Sequence, residues 1–357
     1  MTPHPVIDAD GHVFEPDWIW EHYLDSNFVD RRPRLVRDER GTTRYELSGL
    51  TIPPGTGRGA WAPEGIQEAS LHREGGVDPK ARLVDMDTEG IDTAVLFGSF
   101  GLALWIAPDP DLGAALCRAY NDWLADYCST DASRLKATAS LPLRSIEDSV
   151  VEARRAVTEL GCVSLTLPVN IVGKNPDDPA IFPLYELASE LDVPITFHAG
   201  GGRFAEDRFT DAYAIAHTVC FPMDILFGLT TVLCGGVLER FPKLRVALLE
   251  AGCGFLPYYL ERLDEHFEKR PGEMPITRSP SETFAEGRCV LSCEPEEKSL
   301  AFVTESVGAD KVVYASDYPH WDCEFPNSVR AISERDEISD DVKRAILYDN
   351  SQRLFNL

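Results

Sequence analysis

Two patterns of apolar residues alternate along this chain. Short unbroken apolar runs occur near residues 6, 92, 136, 163, 194, 245, 290 and 312. Such runs read as strands covered on both faces. Between them lie longer stretches whose apolar positions recur every three or four residues, the mark of helices with one buried face. In Ser145 to Leu160 these positions are Ile146, Val150, Ala153, Val157 and Leu160. Ser145 is placed to cap that helix, Asp148 to act as in a capping box, and Gly161 to end it. Further helices are expected at 79–89, 112–128, 181–191, 222–241, 255–267, 296–307, 326–335 and 340–348.

Eight strands separated by helices predict a parallel sheet of the α/β class, closed as a (β/α)8 TIM barrel with C-terminal helices. Residues 1–357 are taken as one barrel domain. The rival is a doubly wound open sheet, but the first strand leads into no GxGxxG turn. Residues 31–76 interrupt the alternation after the first strand. They hold Pro33, Pro53, Pro54 and Pro63, repeated glycines and no sustained period. An insertion of this kind is expected to be a lid or an interface arm. Its scattered Leu47, Leu50, Ile52, Trp61 and Ile66 need cover, which predicts a homo-oligomer, most simply a dimer.

Charge and cysteine content narrow the function classes. Asp and Glu number 59 against 34 Lys and Arg, a formal charge of −25. A field of that sign repels nucleic acid and anionic membrane. Nine cysteines, an odd number without a CxxC, read as buried thiols in a reducing cytoplasm. Met1 to Asp10, already carrying Asp8, does not read as an export signal. The longest apolar stretch, Ile225 to Leu238, is 14 residues bounded by Asp224 and Glu239. A bilayer span takes about 20, so a buried helix is expected.

In a barrel, the C-terminal strand ends build the active site. The first strand ends in Asp10 and His12, which share one face at i and i+2. The fifth ends in His198, the sixth in Glu250, and the eighth leads into Asp317; Glu15, His217 and His320 lie nearby in sequence. Carboxylates and imidazoles at one mouth either bind a metal or share protons. Two of each are ordinary ligands for zinc or manganese, with a water left over.

The chain resembles the amidohydrolase-related family of the metal-dependent amidohydrolase superfamily, in the branch of aminocarboxymuconate semialdehyde decarboxylase and the resorcylate and carboxyvanillate decarboxylases. The resemblance rests on Ile7-Asp8-Ala9-Asp10-Gly11-His12-Val13, Asp85-Met86-Asp87 with Gly90-Ile91-Asp92, and Tyr120-Asn121-Asp122-Trp123. Further landmarks are Phe241-Pro242-Lys243-Leu244-Arg245-Val246, Glu250-Ala251-Gly252 and Ser316-Asp317-Tyr318-Pro319-His320. It implies one divalent ion, zinc or manganese, held by Asp10, His12, His198 and Asp317. It also implies that Asp317 handles a proton. Glu250 departs from the family pattern, which has a histidine there.

Two reactions suit such a site. The leading expectation is hydrolysis of a small ester, lactone or amide by metal-activated water, with Asp317 as base and Glu250, His217 or His320 assisting. It leads because Glu250 adds negative charge that an anionic substrate must overcome. The alternative is non-oxidative decarboxylation of an aromatic or dienoic acid, with Arg203 holding the carboxylate. Phe14, Trp105 and Trp321 are candidate pocket walls in either case. A metal-free binding protein on a degenerate barrel would have apolar residues at the ligand positions, and this chain does not.

Overall fold

Each apolar run expected to be a barrel strand is one in the computed structural model, which describes residues 2, 4–37, 43–52, 73–200 and 213–357. In chain order the strands are β1 (Ile7–Val13), β2 (Arg34–Arg37), β3 (Thr43–Leu47), β4 (Leu50–Ile52), β5 (Thr93–Gly98) and β6 (Leu135–Ala139). They continue as β7 (Ser164–Leu167), β8 (Ile195–His198), β9 (Val246–Leu249), β10 (Cys289–Cys293) and β11 (Val312–Tyr314). One sheet runs β1-β5-β6-β7-β8-β9-β10-β11, with parallel neighbours throughout. At the seam, His12 N–H donates to Tyr318 O at 2.7 Å and Asp317 N–H to Asp10 O at 3.0 Å. These bonds tie the segment after β11 to β1 and nearly close a (β/α)8 barrel.

The lumen is packed rather than open. Ala9, Val95, Phe97, Ala247, Leu249, Val290 and Val313 form an inner apolar cluster. Strict alternation from Ala9 would turn Gly11 inward. The register between β1 and β5 instead slips between Asp8 and Gly11. A bulge re-aims side chains, and this one turns Asp10 and His12 to the inside.

The helices follow the expected spacing with two corrections. Ile146–Thr158 is capped by the Ser145 hydroxyl, which accepts from Asp148 N–H. Gly161 follows at φ +75°. The helix expected at 222–241 instead spans Tyr213–Cys234, with Pro222 in its interior. Gly236, at φ +76°, separates it from a short helix at Val237–Arg240. Proline at 222 marks no boundary here; the helix runs through it, with its buried residues concentrated on the C-terminal side from Asp224 onward. By length and composition Ala214–Cys234 could cross a membrane. It nevertheless carries Asp224 fully buried, with Oδ2 accepting from Gly200 N–H at 2.9 Å.

The second correction concerns the insertion. β2, β3 and β4 form a separate antiparallel sheet where the sequence shows no period. Tyr45 anchors it to the barrel, stacking on Phe100 at 4.2 Å and donating its hydroxyl to Glu15 O at 2.9 Å. Trp61 and Ile66 lie outside the described residues. All nine cysteines are free thiols, eight of them buried.

Candidate metal centre

Three of the strand ends deliver polar side chains to one region of the mouth. Asp10 Oδ1 lies 3.5 Å from His12 Nε2 and 3.3 Å from His198 Nε2. The two imidazole Nε2 atoms are 3.2 Å apart, and Asp317 Oδ1 is 3.4 Å from His12 Nε2. Donors bound about 2.1 Å from one ion at tetrahedral angles stand about 3.4 Å apart. Both Asp10 carboxylate oxygens are buried without a hydrogen-bond partner among the described residues. A buried carboxylate left that way costs several kcal/mol, roughly, unless a cation takes the place of the missing donors. The spacing and the orphaned oxygens together fit a divalent ion.

The backbone orients both imidazoles for that role. His12 Nδ1 is 3.1 Å from Gly98 O, and His198 Nδ1 is 3.0 Å from Ala199 O. With Nδ1–H donated to a carbonyl, the Nε2 lone pair faces the centre. Glu250 Oε2 approaches His198 Nδ1 from the other side at 3.1 Å. His320 bridges Asp317 and Ser99, with Nδ1 2.7 Å from Asp317 Oδ1 and Nε2 2.9 Å from Ser99 Oγ. Its ring stacks on His12 at 4.0 Å. His12, Glu250, Asp317 and His320 thus offer a second group of converging donor atoms. Glu250 and Asp317 have φ of +65° and +53°. Non-glycine residues held there cost about 1–3 kcal/mol each and cluster at functional sites.

Burial and charge set the protonation of this group. Burial opposes ionisation of Asp10, but the imidazoles of His198 and His12 outweigh it and hold the carboxyl well below the usual range. Burial pulls His198 down, but Asp10 and Glu250 outweigh it and lift the imidazole to about 9. Burial pushes Asp317 well up, and the neighbouring Glu250 adds to it. Glu250 is raised well above the carboxylate range by its own burial, against the pull of His198. His12 and His320 are pushed down by burial.

The other candidates distribute unevenly. Phe14 packs 5.9 Å from the His320 ring. His217 packs on Phe221 at 3.7 Å and edge-on to Trp321 at 5.8 Å, with Nε2 3.9 Å from Asp322. Trp105 lies in the turn Gly101–Ile106 after β5, its indole N–H buried without a partner among the described residues. Arg203 falls outside the described residues. Ser99 escaped the sequence reading, although its place directly after β5 marks it as a rim residue.

An amidohydrolase family model matches residues 7–357. The 2-amino-3-carboxymuconate-6-semialdehyde decarboxylase of Dictyostelium discoideum is 29% identical over 68% of this chain and 67% of its own length. The gamma-resorcylate decarboxylase of a Polaromonas species is 27% identical over 78% of this chain and 87% of its own. Among solved structures, an amidohydrolase of Mycobacterium avium subsp. paratuberculosis superposes with a TM-score of 0.80 at 22% identity, covering 99% of this chain and 100% of that one. The 5-carboxyvanillate decarboxylase of Novosphingobium aromaticivorans, solved with manganese and a nitrobenzoic acid, does so with a TM-score of 0.76 at 22% identity, over 99% and 97%. The two relatives named above are decarboxylases, as are two others of similar identity, which overturns hydrolysis as the leading expectation.

Proposed function

Because the chain belongs to the amidohydrolase family, we propose that it is a non-oxidative decarboxylase of a small aromatic or dienoic carboxylic acid. The observation that carries this reading is the placing of the Asp317 carboxyl, 3.4 Å from His12 Nε2 and 2.7 Å from His320 Nδ1, beside the converging donors. The named decarboxylase relatives support it. Asp10, His12, His198 and Asp317 would hold the divalent ion, zinc or manganese. When bound, the ion supplies the positive charge that fixes the substrate carboxylate and a neighbouring oxygen.

The chain's own residues then do the proton work. Asp317 delivers its proton to the carbon bearing the carboxylate. The bond from that carbon to the carboxylate breaks, its electron pair returns to the ring or diene, and carbon dioxide leaves. His320, bonded to Asp317 and Ser99, holds the acid in place. Glu250, 3.1 Å from His198 Nδ1, holds that imidazole. Phe14 walls the mouth; Trp105, Trp321, His217 and Arg203 remain candidate substrate contacts. The organisation proposed with this reading is one domain, a lid or interface arm at 31–76, a homodimer and a cytoplasmic location, the last suited to nine free thiols.

A substrate panel tests the reaction: ortho-hydroxybenzoates and muconate-type acids against neutral esters and lactones, with carbon dioxide release followed. Decarboxylation of an acid at a kcat/KM above about 10³ M⁻¹s⁻¹ is expected, a threshold set about tenfold below the usual range of natural enzymes. Turnover of the neutral compounds alone would defeat the proposal.

A further inference from the structure

The segment Asp85-Met86-Asp87 lies on the helix Pro79–Glu89, away from the converging donors, yet that helix reaches the seam of the barrel. Arg82, Asp85 and Glu89 follow one another at three and four residues and so share one face. Arg82 is only 1% exposed. Its Nη1 donates to His12 O at 2.7 Å and to Tyr318 O at 3.4 Å. Its guanidinium also lies 4.6 Å from the centre of the Tyr318 ring. The Tyr318 hydroxyl in turn donates to Asp85.

One side chain therefore holds two carbonyls that belong to different ends of the chain. His12 is itself a candidate ligand, and Tyr318 directly follows Asp317. A second clamp lies beside the first: Asp8 accepts from Ser316 N–H at 2.9 Å, Ser316 Oγ at 2.6 Å and Asp10 N–H at 3.2 Å. The left-handed conformation of Asp317 is held between these two clamps. An added Cβ at Gly11 would run into Arg82 and Asp8, so glycine is what lets the clamps pass so close to the strand.

We infer that Arg82 and Asp85 are positioning residues of the metal centre: with Tyr318 they lock the segment carrying Asp317 onto the strand carrying Asp10 and His12. Groups that orient ligands without touching the ion set its affinity, and their loss costs about 10–100-fold in binding or activity. Glu89 supplies the internal contrast. It lies on the same face and is buried, but accepts from Ser328 Oγ and Val329 N–H, both at 2.9 Å, beyond the ligand-bearing segment. It braces the fold without bracing the centre.

The inference rests on the metal assignment above, and its readout is the metal itself. Manganese affinity of the full chain is measured by competition with a fluorescent chelator for the parent, Arg82→Met, Arg82→Lys, Asp85→Ala, Tyr318→Phe and Glu89→Ala. Thermal unfolding is followed beside it. The Arg82→Met, Asp85→Ala and Tyr318→Phe variants are expected to bind manganese about 10–100-fold more weakly. Arg82→Lys should recover part of the loss, and kcat should fall with KM little changed. Glu89→Ala should lower the unfolding temperature and keep the parent's affinity. If Arg82→Met does not fold, Asp85→Ala and Tyr318→Phe decide the matter. Folded variants within about threefold of the parent's affinity would overturn the positioning role and leave the metal assignment standing. A parent that binds no manganese or zinc would overturn both.

Discussion

The proposed reaction asks Asp317 to lie beside a cation and yet deliver a proton; burial favours its protonated form, while a neighbouring cation opposes it. Asp317→Asn should fold and lose about 10²–10⁴-fold in turnover, the usual worth of a positioned acid or base. Single-turnover assays on whichever acid is accepted would check this, and a variant within tenfold of the parent would remove Asp317 from the reaction. His12→Ala and His198→Ala should lose the ion but retain the parent's circular dichroism, because the core is carried by the strands. Glu15 offers a separate test. Burial pushes its carboxyl up to about 7, against the pull of the Gly101 and Phe100 amides that donate to it. A folded pKa above the unfolded 4.5 means its stabilising contribution is complete below pH 4.5 and is lost as pH rises through 7. That amounts to about 3 kcal/mol across the window. Urea midpoints measured from pH 4.5 to 8 should fall less steeply for Glu15→Gln than for the parent. Parallel curves would exclude Glu15 as the source.

Elements differ in how openly the sequence displays them. The barrel strands and the helix behind Ser145 are legible because burial on one or both faces forces a period that local chemistry supports. Ser145→Ala should accordingly cost about 1 kcal/mol in chemical denaturation, the ordinary worth of such a cap. β2, β3 and β4 are illegible because their pairing is stabilised by docking, Tyr45 on Phe100 above all, and not by alternation along each strand. The start of the helix Tyr213–Cys234 is hidden for another reason: an interior proline looks like a first-turn proline when neighbours are apolar on both sides. The converging donors Asp10, His12 and His198 are legible at the strand ends. What holds them in place is not, since the bulge after Asp8 and the grip of Arg82 on two carbonyls are backbone facts that no spacing records.

For the molecule as a whole, elemental analysis of protein purified without a metal-affinity tag should find about one zinc or manganese per chain, the stoichiometry of a single catalytic centre. Less than about 0.2 equivalents, with no gain in thermal stability on adding either ion, would refute the assignment. The position of the centre at the seam also governs how the protein comes into being. Asp8 and Ser316, which clamp it, are separated by 308 residues of chain. Contacts of such separation form late, after the loop between them has been closed. On the proposed ligand set, a chain cut before β11 keeps Asp10, His12 and His198 but lacks Asp317, and should take up the ion more weakly than the whole chain.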